Sequence, residues 1–188
     1  MGMDLFEYLM VMVSIVLGLG VTQALRGLGK LARSPSSFLP MTIWAITLFY
    51  LHIQVWWGLW DLANVESWNQ LSFFLVIALP CSLFAAIELL MPLGSEADTD
   101  WESHYFDVRN WFLGAVCMFS IVAVLTSYIL NDVPLTHPYR IVQGIVTVAA
   151  IIGFFTQSKI AHTWISSIYL GVLLTGQILF RLAPGLGQ

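Results

Sequence analysis

The chain has 188 residues, 59 % of them hydrophobic and 10 % charged, and carries a formal net charge of −4. A soluble domain has about 25 % charged residues and cannot bury so large an apolar share, so lipid must solvate much of this surface. The mild acidity supplies no basic patch and excludes nucleic acid as a partner.

Six apolar segments fill the chain, each near the roughly 20 residues a helix needs to cross a hydrocarbon core. They cover residues 5–31, 38–62, 71–91, 108–129, 138–157 and 160–180. The expected fold class is all-α: a polytopic membrane protein with six transmembrane helices in a compact bundle, one domain over residues 1–188. No connection is long enough to hold a second domain. The first span lacks the basic flank expected of a secretory leader. Phe6 stands where N-myristoylation needs Ser or Thr.

The first span carries Ser14-x-x-x-Gly18-x-x-x-Thr22 and Gly20-x-x-x-Ala24. Four-residue spacing puts small residues on one helix face, where backbones can approach closely in lipid. Glu7 lies near one end of this span; Gln23 and Arg26 lie toward the other. The second span holds His52-x-Gln54-x-Trp56-Trp57-x-x-Trp60. His52, Trp56 and Trp60 recur every fourth residue and so share a stripe. An imidazole and an amide at mid-membrane need hydrogen-bond partners, so this side is expected to turn inward. Gln23, Ser82, Gln143 and Gln177 on other spans are the candidate partners. The result would be an aromatic-lined passage containing a ring that titrates near neutral pH. The competing reading is a satisfied core histidine beneath an interfacial tryptophan belt.

In the third span Pro80 removes a helical hydrogen bond and is expected to kink the helix, while Pro92 reads as a stop. Glu88 is ionisable within an apolar run, which is costly unless it is paired. Arg109, at the start of span four, is its expected partner, and Arg26 is the second choice. Such a pair would fix helix register or relay protons or cations. Cys81 and Cys117 read as small apolar core residues. His104, His137 and His162 fall at span ends and match neither haem nor zinc spacing. Asp98-x-Asp100-x-Glu102 lacks the glycine and closing glutamate of a calcium loop and reads as a solvated connection. Pro138 suits the first turn of span five. Span six repeats the small-residue pattern as Ser167-x-x-x-Gly171-x-x-x-Thr175. No nucleotide loop, nucleophile elbow or zinc-protease motif is present, so no cofactor is expected.

Lys and Arg near span ends are retained in the cytoplasm. Arg26, Lys30, Arg33, Arg109 and Lys159 fall at one set of ends; Arg140 and Arg181 fall at the other. Both termini are therefore expected in the periplasm of a bacterial inner membrane. Trp56, Trp57, Trp60 and Trp68 gather at the outer ends, and Trp44, Trp101, Trp111 and Trp164 near the inner ends, as two headgroup-level belts.

Glu7-Tyr8, Ser14-Ile15-Val16-Leu17-Gly18-Leu19-Gly20, His52-x-Gln54-x-Trp56-Trp57 and Tyr105-x-x-x-Arg109-x-Trp111-Phe112 give the first four spans a pattern. It resembles a group of small six-helix bacterial inner-membrane proteins of unknown function. The resemblance implies a bacterial origin and no activity. Function then has to lie in the bundle. The leading expectation is a homo-oligomer in the lipid bilayer that binds or passes an ion or small solute, in the manner of a channel or transporter. His52, Gln54, Trp56, Trp60, Gln23 and Gln143 would form the pore or ligand site, and Glu88, Arg109 and Arg26 the charge pair or relay. The alternative is a non-catalytic membrane subunit or sensor acting through a protein partner. A membrane enzyme ranks third, since only Glu88 and His52 would supply an acid and a base.

Overall fold

The computed structural model describes residues 5–65, 67–91 and 99–182. Helices α1 (Leu5–Arg33), α2 (Leu39–Gly58), α3 (Gln70–Leu90), α4 (Trp101–Ile129), α5 (Tyr139–Phe155) and α6 (Lys159–Gln177) make up the bundle, with no strand among the described residues. A 3₁₀ turn, Leu59–Asn64, extends α2, and a π turn, Ile178–Leu182, extends α6. Five of these segments are long and apolar enough to cross a membrane, while α5 is shorter. The apolar helices suggest a membrane protein.

Local sequence explains the helix starts. Asn69, Asp100 and Ser158 each accept a hydrogen bond from a backbone N–H three residues on, capping α3, α4 and α6. Pro40 opens α2, where a missing N–H costs nothing. Pro138 is the residue before α5. Because Asp100 caps α4, that helix begins seven residues before the expected span. Glu102, His104 and Tyr105 are thus helical and do not belong to an acidic loop. Helix α3 runs through Pro80 without ending. Pro92 and the acidic stretch as far as Asp98 lie outside the described residues.

Successive helices pack as neighbours, and further contacts close the order α1–α3–α4–α5–α6–α2 into a ring, with α2 also reaching α3 across it. Of the expected small-residue faces, Gly20-x-x-x-Ala24 is packed, with Ala24 fully buried, and the other two are not. Gly18 and Gly171 have open space where a Cβ would stand, and Thr22, Ser167 and Thr175 are exposed. Those two stripes face outward. Contact is made instead by Gly20 on His52, Gly27 on Met91, Gly153 on Leu113 and Gly176 on Val142.

The two ends of the bundle differ. Toward Arg33 the centre is filled. Trp44 stacks on Tyr169 at 4.7 Å and meets Phe112 edge-on at 5.0 Å, tying α2 to α6 and α4. Trp44 and Trp101 are buried, so the expected inner tryptophan belt keeps only Trp111 and Trp164 on the surface. Toward Trp60 the centre is open.

Candidate functional site: a polar vestibule

A cavity of about 1040 Å³ opens among α2, α3, α4, α5 and α6 at the Trp60 end. Phe119, Ser120 and Tyr169 line its deep part, and below them the stack of Trp44, Phe112 and Tyr169 fills the centre. Helix α1 contributes nothing to the wall. Apolar side chains such as Leu51, Leu79 and Leu173 alternate with polar ones. Polar and apolar surface line it in nearly equal measure, more polar than most small-molecule sites, whose few fixed polar groups set orientation within an apolar wall.

Among the described residues Arg140 is the only Arg or Lys in the wall. It sits in the first turn of α5, and Gln143, three residues on, shares its face. Its guanidinium is held by neutral groups: Nη1 donates to Ser127 Oγ and to Gln143 Oε1, both at 2.8 Å. Nη2 donates to the Val133 carbonyl at 2.8 Å, and Nε reaches the Pro134 carbonyl at 3.4 Å. Arg140 has no salt bridge among the described residues. The turn feeding those carbonyls passes through Asp132 at φ 52°, a left-handed conformation that Asp tolerates better than most residues.

The bonds fix which way the amides point. Arg140 donates to the Gln143 oxygen, so the Gln143 NH₂ is left without a partner among the described residues. On the facing wall Gln177 Nε2 donates to Gln54 Oε1, joining α6 to α2. Gln177 Oε1 and the hydroxyl of the buried Thr126 remain unpartnered. Gly176 abuts Val142, so Gln177 and Gln143, the next residue along each of these antiparallel helices, stand within about 3 Å of one another in depth. Buried polar groups normally find partners, so these two wall residues each keep hydrogen-bonding capacity that a small side-chain turn would bring to the cavity.

Of the pore candidates and hydrogen-bond partners singled out from sequence, Gln54, Gln143 and Gln177 line the vestibule, and Gln177 is the one that bonds Gln54. His52 turns the other way, onto α1. Its Nδ1 donates to the Leu48 carbonyl at 2.7 Å, and its Nε2 lies against Gly20 without a partner. Gln23 donates to the Met91 carbonyl and anchors α1 to the end of α3. Trp56, Trp57 and Trp60 are 55 %, 70 % and 80 % exposed and point away from the cavity. The inward aromatic stripe is therefore not formed. A four-residue repeat drifts by about 40° per step on a helix of 3.6 residues per turn, and over two steps that carries the stripe out of the packed face.

The Glu88–Arg109 pair is also not formed. Among the described residues the salt bridge joins Lys159 to Glu102, at 2.6 Å on the surface. Glu88 is half-buried. Arg109 donates to its own helix at the Phe106 carbonyl and lies over the Phe106 ring. Arg26 is exposed. Two features went unread in the sequence. Arg140 was counted only as a loop charge, although Gln143 at i+3 was the available signal. The second is a buried pair in which Tyr105 donates to His162 Nδ1 at 2.9 Å while His162 Nε2 donates to the Thr156 carbonyl. It pins α4 to α6 at the filled end, and no sequence spacing indicates it.

No group of His, Cys, Asp and Glu among the described residues is placed to hold a metal. No protein-family model matches the chain, and no curated protein or solved structure is similar to it.

Proposed function

We propose that this chain is a multi-pass membrane protein that binds a small solute in the vestibule, entered from the Trp60 end. The observation that supports this most is one open cavity whose wall carries Arg140, held by neutral groups alone, beside Gln54, Gln143 and Gln177. Large apolar side chains such as Phe155, Ile160 and Trp111 are 86 %, 72 % and 76 % exposed on the outer faces of α4, α5 and α6, a surface suited to lipid. The aromatic stack at the Arg33 end separates the vestibule from the far side. Solute binding with access from one side, as in a carrier or a receptor, fits that arrangement better than a continuously open channel. The same closed floor favours a sensor acting through a partner as the second reading.

The excess of Lys and Arg at the other end supports placing the vestibule mouth, and both termini, on the periplasmic face of a bacterial inner membrane. The outward small-residue stripes at Gly18 and Gly171 support self-association, since such stripes drive helix pairing in lipid.

Thiol accessibility tests the central reading. With Cys81 and Cys117 replaced by Ala, a membrane-impermeant thiol reagent should label Gln143→Cys and Ser120→Cys from the Trp60 side, and Leu48→Cys from neither. Labelling of Ser120→Cys from the Arg33 side alone would overturn it. A reporter fused after Gln188 should be active outside the cytoplasm, and one at Ala97 inside; the reverse pattern would invert the orientation. Flux into proteoliposomes separates carrier from sensor.

A further inference from the structure

We infer that the vestibule takes a carboxylate with an apolar body and a hydrogen-bond donor on the carbon beside the carboxyl group: a hydroxy acid or an amino acid. This deepens the solute-binding reading and rests on it. Three features of the wall carry the inference.

The first is the state of Arg140. Its side chain is oriented by four hydrogen bonds, all to neutral acceptors, so its charge is pre-positioned and not neutralised by a carboxylate contact. One N–H on Nη2 is left over, because Nη1 uses both of its hydrogens and Nη2 only one. The Gln143 amide stands beside it with an unused NH₂, oriented by the same Arg140 bond. A charged N–H and an amide N–H on two side chains bonded to each other make a receptor for an anionic oxygen. Because the guanidinium is already held, binding loses little side-chain entropy.

The second feature is the acceptor opposite. Gln177, a wall residue across the α5–α6 contact from Gln143, has an unpartnered Oε1 that is sealed off until its amide turns toward the cavity. An oxygen acceptor asks for a donor, which a simple carboxylate lacks and a hydroxyl or ammonium group supplies. The wall also carries Asp132, whose carboxylate favours an ammonium group over a second anionic group.

The third is the apolar part of the wall. Leu51, Leu79, Phe119 and Leu173 give a hydrocarbon or aromatic body a place to bury. Inorganic anions use none of it.

The test is direct binding by calorimetry to the full chain in nanodiscs, with empty discs as the control. The probes are 3-phenyllactate, L-phenylalanine, 3-phenylpropionate and 3-phenyllactamide. At least one of the first two should bind at least tenfold more tightly than phenylpropionate, which lacks the donor. It should also bind at least tenfold more tightly than phenyllactamide, which lacks the charge. Preference for phenyllactate or for phenylalanine identifies the donor as hydroxyl or ammonium. Arg140→Gln should weaken binding at least tenfold. Since Arg140 also ties down the α4–α5 turn, Gln143→Met serves as the gentler variant and should weaken it at least threefold. Equal binding of phenyllactamide, undiminished binding by a folded Gln143→Met protein, or no binding of either acid overturns the inference. The solute-binding reading survives those results if Gln143→Cys and Ser120→Cys still react from the Trp60 side. It falls with the inference if no probe binds and neither cysteine reacts.

Discussion

The His52 ring rests directly on the Cα of Gly20: a Cβ built there would come within 2.0 Å of Nε2 and 2.5 Å of Cδ2. Helices α1 and α2 meet at this point, and the imidazole is rigid and held from behind by the Leu48 carbonyl. Gly20→Ala therefore has to push the helices apart or move the ring out of its hydrogen bond. Overpacking of this kind costs about 1–3 kcal/mol. A lowered thermal midpoint in detergent should report it, and adding His52→Ala to Gly20→Ala should recover most of the loss. A Gly20→Ala protein as stable as the parent would mean that the contact is slack. Gly18→Ala on the same helix, where a Cβ meets open space, is the matched control and should be silent.

The Tyr105–His162 hydrogen bond should behave differently, because both groups are fully buried. Tyr105→Phe keeps the ring and its packing against Phe38 and Phe112 but leaves His162 Nδ1 without its donor. An unmet buried acceptor costs about 1–3 kcal/mol. His162→Phe should lose a similar amount, and the double variant less than the sum of the two, as expected for a shared bond. Strict additivity in unfolding measurements would show that the two residues do not act on each other.

Glu88 and Arg109 yield the opposite expectation. A broken buried ion pair would cost about 3–5 kcal/mol. Here Arg109 bonds to its own helix, and Glu88 has no salt bridge among the described residues. Glu88→Gln and Arg109→Gln should each have a small effect, and their double-mutant cycle should close to within about 0.5 kcal/mol. A coupling of 2 kcal/mol or more would restore the pair that the sequence suggested.

What the sequence made legible follows from the range of each signal. The helices were readable because hydropathy is summed over some twenty residues, and the element boundaries of α1 and α3 fall close to the expected spans. Gln54, Gln143 and Gln177 were readable as cavity residues because an amide in an apolar run has few places to go. The facing direction of His52 was not. It depends on whether α1 or α6 lies across from that side of α2, and both pack on α2. The pairing of Glu88 failed for a similar reason. Adjacency of α3 and α4 brings the helices together but does not set the rotation of either one. Arg140 was missed because its carbonyl partners Val133 and Pro134 are supplied by a turn, and turn geometry leaves no periodic mark.

The split of the tryptophans provides the last prediction. Trp56, Trp57, Trp60, Trp111 and Trp164 are more than half exposed, whereas Trp44 and Trp101 are only 0 % and 1 % exposed. If the outer surface meets lipid, brominated acyl chains should quench the first group and spare the second, because contact quenching needs the bromine against the indole. Reconstitution in brominated lipid should therefore leave a residual emission. Trp101→Phe should lower that residue, while Trp57→Phe should lower only the quenchable part. Trp44 is less suited to removal, since it joins Phe112 to Tyr169 and its loss would open the floor of the vestibule. A residual emission unchanged by Trp101→Phe would place that ring at the surface. It would return the inner tryptophans to the belt expected from sequence, and the filled end of the bundle would have to be redrawn.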